Sequence, residues 1–555
     1  MTFRAILLLT VVLTSFQSTN AQESNQGPET QSLIRIAQET TFITEPLDPE
    51  GFVDYVAALN ELRSKGVTPK NNYEMVVRKL ITAKGSESVD NWKEKYFAAL
   101  DTPVPKATPF ALVDFVDYLE PNKENTNGRT EFEILRKRET LLEKPWQPDE
   151  RPIAARWVQE MNELLDELVE GSKRPEFWAP YVSVDMDLSK PMPRVGLKSL
   201  APVIEQREIA RAIGIRAMGR IGTGELEDAW NDLLALQRIS CHVASGYTEF
   251  EGSLVSYVLE KAWGLEIASA LLSSPKLTDE LAAECFKDLK ARPPLPSFAE
   301  HALLGERFMR LDEFATLARR CEQEVEESLL HFVFSLRHMP ATPEEGLEEL
   351  HQAVHETDWN ECLRQMNAWF DRLDEAATAP RFPDQKKLFE KLSYDFRTER
   401  YEIRKLRSYF ELFSKAESTE ATSKRLSAAI LPESYIKSIE MKIAIELEAR
   451  ASFDMLKIAF ALECYRRKEG KQAAMLSDLV PNYFENIPID GYSGEPIRYL
   501  TRDGKTLLYC VGRNVRDDKG RTFDETHSAP SFLGLKPNWD DIVFELPTPT
   551  ASNEP

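Results

Sequence analysis

The sequence predicts a mainly α protein: an irregular helical bundle or helical-hairpin array, with a small C-terminal α+β module in which a long helix packs on a short antiparallel sheet. Three observations carry this. Apolar residues recur at helical spacing from about Pro46 to Glu469. Proline-rich breaks divide that stretch into blocks. Strand-like alternation appears only near the end, in IDGYSGEPIRYLTRDGKTLLYCVGRN at 489–514. With 555 residues the chain has room for several cores.

The N-terminal residues MTFRAILLLTVVLTSFQSTNAQ place one cation, Arg4, before an apolar run from Ile6 to Phe16. Thr19 and Ala21 then set small residues at the minus-three and minus-one positions of a cut. This is the pattern of a secretory signal peptide over 1–21, with a mature chain from Gln22 and a flexible N-terminal segment over 22–45. No later stretch has the ~18 uncharged apolar residues of a membrane helix, so no transmembrane segment is expected after signal cleavage. The expected location is exported, periplasmic or extracellular.

A helical region over 46–200 ends in RPEFWAPYVSVDMDLSKPMPRVG (174–196), a long proline-rich connection carrying Trp178 and Tyr181. Such a loop either lines a cleft or caps a core. The helical body follows over 201–430. Leu226, Trp230, Leu233 and Leu234 form one stripe, with Glu225, Glu227, Asp228 and Asp232 largely off it, and Gly222 and Gly224 mark the preceding join. LEDAW at 226–230 returns as LEKAW at 259–263, close to the period of tetratricopeptide-like hairpins. Two such matches leave an array and an irregular bundle both open. ARPPLPSFAEH (291–301) and APRFPD (379–384) mark further breaks.

The segment 431–547 contains the α+β module. Its helix carries Ile445, Ala449, Phe453, Leu456, Phe460 and Cys464 on one stripe and stops near Gly470. LSDLVPNYFENIP follows, then a strand at PIRYL, a hairpin turn at RDG and a strand at KTLLYCVG. Residues 548–555 read as a disordered tail.

Charge and motifs exclude more than they assign. A formal net charge of −22 without a long basic run argues against a nucleic-acid partner. Divalent cations are the natural counterions of such a surface. None of the six cysteines stands in a CxxC spacing, which disfavours thiolate zinc knuckles and redox pairs. Disulfides and buried free thiols both remain open. His351 and His355 lie four apart with Glu348 one turn earlier, but Gln352 stands where a metalloprotease has its glutamate. GYSGE at Ser493 is not GxSxG, and SYIK at Ser434 to Lys437 lacks the companion elements of an SxxK enzyme. No catalytic constellation emerges. Two function classes remain: a non-catalytic exported scaffold or binding protein, its partner an exported protein or envelope component, and a hydrolase of an extracellular polymer with carboxylates in a helical cleft near Trp178.

The tail resembles a known family. Helix, DLVP, DGYSGEPIRY, GKTLLYCVGRN, the acidic VRDDKG and the closing WDDIVFELP are similar to the C-terminal half of the type II secretion major pseudopilin. The chain as a whole, in phrases such as EGSKRPEFWAPYVS and GELEDAWNDLLALQRIS, resembles a set of exported helical bacterial proteins of uncharacterised function. The pseudopilin resemblance implies Ca2+ in the acidic loop, with Asp517, Asp518 and Asp540 at matching positions and Asp541 beside them. Gathered carboxylates repel one another unless a hard cation takes their oxygens. The helix, however, is internal and carries Glu446, Glu448, Arg450, Asp454, Lys457 and Glu463, so it cannot be the apolar spine of a fibre. Cys464 and Cys510 are expected close in space, bridged or buried against one another.

Overall fold

A computed structural model describes residues 33–81, 92–105, 140–182, 201–246, 250–322, 357–404, 433–528 and 538–546, with positions 112, 115, 118, 418–421 and 423. The signal peptide, the Glu348/His351/His355 group and the tail at 548–555 lie outside the described residues.

The architecture is mainly helical, with one three-stranded antiparallel sheet near the C-terminus. In chain order the helices are α1 (Gln38–Thr41), α2 (Tyr55–Arg63), α3 (Tyr73–Leu80), α4 (Trp92–Ala99), α5 (Pro152–Gly171), α6 (Ala201–Thr223), α7 (Leu226–Gly246) and α8 (Phe250–Val258). A π-helical turn, Leu259–Gly264, leads into α9 (Leu265–Leu272), α10 (Asp279–Ala291), α11 (Phe298–Glu322), α12 (Trp359–Thr378), α13 (Phe382–Arg404) and α14 (Glu433–Glu469). The sheet is formed by β1 (Arg498–Arg502), β2 (Lys505–Cys510) and β3 (Ile542–Glu545), with a short α15 (Phe523–Ser528) between the last two strands.

Helix ends follow the local chemistry. The side chains of Asp54, Asn72, Thr278 and Asp358 each accept a backbone N–H of the first turn of α2, α3, α10 and α12. Gly224, with φ +90°, ends α6, and its N–H donates to the Arg220 carbonyl at 2.8 Å. LEKAW lies wholly within the π-helical turn, whereas LEDAW opens an ordinary helix after Glu225, so the two are not equivalent units of an array.

Two cores share one spine. The first gathers α5, α6, α7, α9 and α10; the second gathers residues 34–59 with α11, α12 and α13. Tyr435, Ile436, Ile439 and Ile443 of α14 belong to the second, and Phe453, Leu456, Ile458 and Phe460 to the first. At 1.5 Å per residue a helix of this length runs about 55 Å, enough to pass through both. From Ala451 to Leu462 it is apolar nearly all round, as a helix surrounded by protein must be.

Two expectations about boundaries change. Residues 33–45 pack against the body: Ile34 is buried, and the Asn367 amide donates to the Thr40 carbonyl at 2.8 Å. The C-terminal sheet does pair, and α14 does pack on it. Yet Ile497, Leu508, Cys510 and Phe544 lie in the same apolar core as α6 and α7, so helix and sheet are woven into the body rather than appended to it.

Candidate metal centre

The site begins with the hairpin. Asp503 and Gly504 both take positive φ, 52° and 78°, the two-residue turn whose twist suits antiparallel strands. Arg498 then pairs with Tyr509 and Arg502 with Lys505. β3 closes the sheet on the other side of β2, Cys510 opposite Ile542 and Leu507 opposite Glu545. The chain leaving β2 at 511 and the chain entering β3 at 541 are thereby neighbours. This brings the two ends of the acidic loop together.

Asp518, Asp540 and Asp541 each offer a carboxylate oxygen, all within 4.8 Å of one another. Asp518 and Asp541 are buried and Asp540 is half-buried. Backbone and amide donors hold them. Gly520 N–H donates to Asp541 Oδ2 at 2.8 Å, Asn514 N–H to Asp540 Oδ2 at 2.9 Å, and the Asn514 side-chain amide to Asp518 Oδ2 at 2.8 Å. Asp540 Oδ1 is buried with no hydrogen-bond partner. Gly520, at φ +70°, turns the loop back under the sheet, against Leu507 and Tyr509. Both faces of β2 are therefore covered, and its inner residues are all buried instead of alternating.

The electrostatics match three acids sharing a small volume. Burial pushes Asp541 up to about 6 against the pull of the Gly520 and Asp518 N–H groups, and the charges of Asp518 and Asp517 push the same way. Asp540 is also raised, chiefly by burial, with Asp518 adding to it. Asp517, the fourth expected ligand, is not in the cluster. Its Oδ2 pairs with Lys519 Nζ at 2.8 Å and its Oδ1 accepts the Tyr509 hydroxyl at 3.2 Å. Partial burial raises it, but the Lys519 bonds and charge outweigh that and hold it below the usual range. Its basic neighbour at 519 draws it out of the group.

Three residues that organise this region carry no obvious sequence signal. Asn514 ties Asp518 and Asp540 together and also donates to the Asn538 carbonyl at 2.7 Å. Gly512 permits close approach to Asp540. Asp490 is fully buried and accepts from Tyr492 N–H, the Ser493 hydroxyl, Arg498 and Val511 N–H. Ser493 is thus a turn hydroxyl tied to a structural carboxylate, as its Gly/Pro setting suggests.

The remaining candidates resolve as follows. Ser434 and Lys437 lie in the first turns of α14. Trp178 is buried against Tyr96, Phe97 and Leu100, and Tyr181 is buried in the second core, so this part of the 174–196 loop caps cores. Cys464 and Cys510 are both free thiols against the first core, and no bridge joins them. The thiol that Cys464 influences is Cys285 on α10.

Fold and site define a mainly helical protein with a three-stranded antiparallel sheet closed by a carboxylate cluster. Comparison of the chain with protein-family models, curated proteins and solved structures finds no match. No helix among the described residues is long and apolar enough to cross a membrane.

Proposed function

We propose that the chain is an exported, non-catalytic scaffold or binding protein whose C-terminal sheet is closed by a divalent cation of calcium's type. The observation that carries the cation is the meeting of Asp518, Asp540 and Asp541, with the buried Asp540 Oδ1 lacking a donor. Calcium takes six to eight oxygens and accepts irregular geometry, which suits carboxylates delivered from both ends of a loop. Bound there, it would offset their mutual repulsion and pin the loop to β3. The resemblance of this segment to the pseudopilin tail supports the same reading.

The scaffold reading is supported by the use of the other conspicuous polar groups. Asp232, Glu74 and Glu446 are buried in ion pairs or hydrogen bonds within the helical body, where they hold helices together. The partner expected for such a body is an exported protein or envelope component.

The test is thermal unfolding of the full-length protein, stripped with EDTA and then titrated with Ca2+, with Mg2+ in parallel. A ligand at a hundredfold excess over its Kd contributes ~2.7 kcal/mol. Calcium should raise Tm saturably, and Asp541→Asn should lose that response while unfolding no earlier than wild type in EDTA. Absence of any shift at millimolar calcium removes the site.

A further inference from the structure

The two proline-rich connections meet. Residues 172–175 after α5 and residues 291–296 between α10 and α11 enclose, with one face of α7, a cavity of about 510 Å3. Its charge is opposite to that of the chain. Lys173, Arg174, Arg238 and Arg292 line it, against a single lining acid, Asp288, which already accepts the Trp230 indole N–H at 2.9 Å. A concave basic site on a chain of net charge −22 focuses its field on anions.

Two side chains on α7 face this cavity without hydrogen-bond partners among the described residues, although the charges of Asp288 and Glu170 act on one of them, Arg238. Arg238 is half-buried and makes no hydrogen bond or ion pair among the described residues, although Lys173 is paired with Glu170 and Arg174 donates to the Pro69 and Asn72 carbonyls. Gln237 is 1% exposed, and neither its Oε1 nor its Nε2 has a hydrogen-bond partner among the described residues. Leaving both ends of a buried amide unpaired costs free energy unless something entering the cavity satisfies them.

We infer that this cavity binds a small organic hydroxycarboxylate. The guanidinium of Arg238 presents the planar fork that matches a carboxylate. Gln237 supplies a donor and an acceptor side by side, which calls for a hydroxyl next to the anionic oxygens. Pro175, Pro293, Pro294 and Leu234 give the apolar wall for the rest of the molecule. The volume suits a ligand of metabolite size. The site lies on the helical body and does not depend on the cation proposed for the sheet.

Mandelate is the probe, with phenylacetate lacking the hydroxyl and mandelamide lacking the charge. Isothermal titration of the full-length protein, stripped with EDTA and then dialysed free of the chelator so that neither cation nor chelator takes part, should show saturable mandelate binding that weakens with salt. Phenylacetate should bind about tenfold more weakly, the cost of an unmet buried hydrogen bond, and mandelamide not measurably. Arg238→Met should abolish mandelate binding. Gln237→Met should keep the protein at least as stable and erase the preference for mandelate over phenylacetate, which guards against Arg238→Met merely misfolding. No saturable binding of mandelate, or binding indifferent to both substitutions, overturns the assignment.

Discussion

Gly512 packs so closely on Asp540 that a β-carbon at the glycine would overlap both the carbonyl oxygen and the carboxylate of Asp540. The absence of a side chain there lets the strand leaving β2 run against the one entering β3. Gly512→Ala is expected to lose about 1–3 kcal/mol, the usual range for overpacking, and to weaken the calcium response together with it. Urea unfolding with and without calcium measures both. Unchanged calcium-dependent stabilisation in this variant would separate the cation from the close approach.

Asp490 binds the sheet to the turn that precedes it. One oxygen accepts from Tyr492 N–H at 2.9 Å; the other serves Ser493, Arg498 and Val511. Asp490→Ala leaves Arg498 and two buried N–H groups, those of Tyr492 and Val511, without this acceptor, and the expected loss is about 3–5 kcal/mol. Asp490→Asn keeps the shape but not the charge and should fall between. An alanine variant within 1 kcal/mol of wild type, roughly the net worth of a single hydrogen bond, would show that the turn holds itself.

Local chemistry was legible where it acts alone. Asp503–Gly504 names its own turn, and Gly224 marks a helix end, because positive φ favours those residue types. The aspartates of the acidic loop are expected only through the resemblance to the pseudopilin tail; the pairing of β2 with β3 is what sets Asp518 beside Asp540 and Asp541. What the pattern missed was tertiary. The spacing predicts a single stripe on α14, but a helix shared by two cores is buried nearly all round over Ala451–Leu462, only Asp454 and Lys457 staying half-buried, and period 3.6 cannot report that. Asp232 reads as a solvent residue by spacing, yet it is fully buried because Arg216 and Arg220 reach it from the neighbouring helix. Asp517 is held aside by its contacts with Lys519, Tyr509 and Arg498, whereas its neighbour Asp518 is buried and bonded to Asn514, a difference no spacing reports.

That buried Asp232 ties α6 to α7. Arg216 reaches it at 2.6 Å and is itself 2% exposed, while Arg220 contacts its other oxygen at 2.7 Å. Asp232→Ala strands the Arg216 guanidinium, whose remaining anionic partner, Asp166, is 56% exposed. The expected loss is about 3–5 kcal/mol by chemical denaturation. Adding Arg216→Met should recover part of it, because an uncompensated buried charge is worse than none. A double variant no better than the single one would contradict that account.

His242 gives the helical body a pH dependence of calculable sign. Its ring stacks on Tyr73 at 5.2 Å, and its Nε2–H donates to the Ser172 carbonyl at 3.0 Å. Burial lowers its pKa from 6.5 to about 4; the Ser172 bond pulls upward and the charge of Arg238 pushes further down. Between those values the unfolded chain binds a proton that the folded one refuses, so stability rises with pH across the window and is complete above 6.5. The shift corresponds to about 3 kcal/mol lost on going from neutral pH to pH 4. His242→Gln should flatten the difference between the wild-type and variant stability curves above 6.5 and open it below, in urea titrations run at successive pH values. Parallel curves through that window would mean that the imidazole takes up its proton in the fold as readily as in the unfolded chain, so that burial beneath Tyr73 does not hold it neutral.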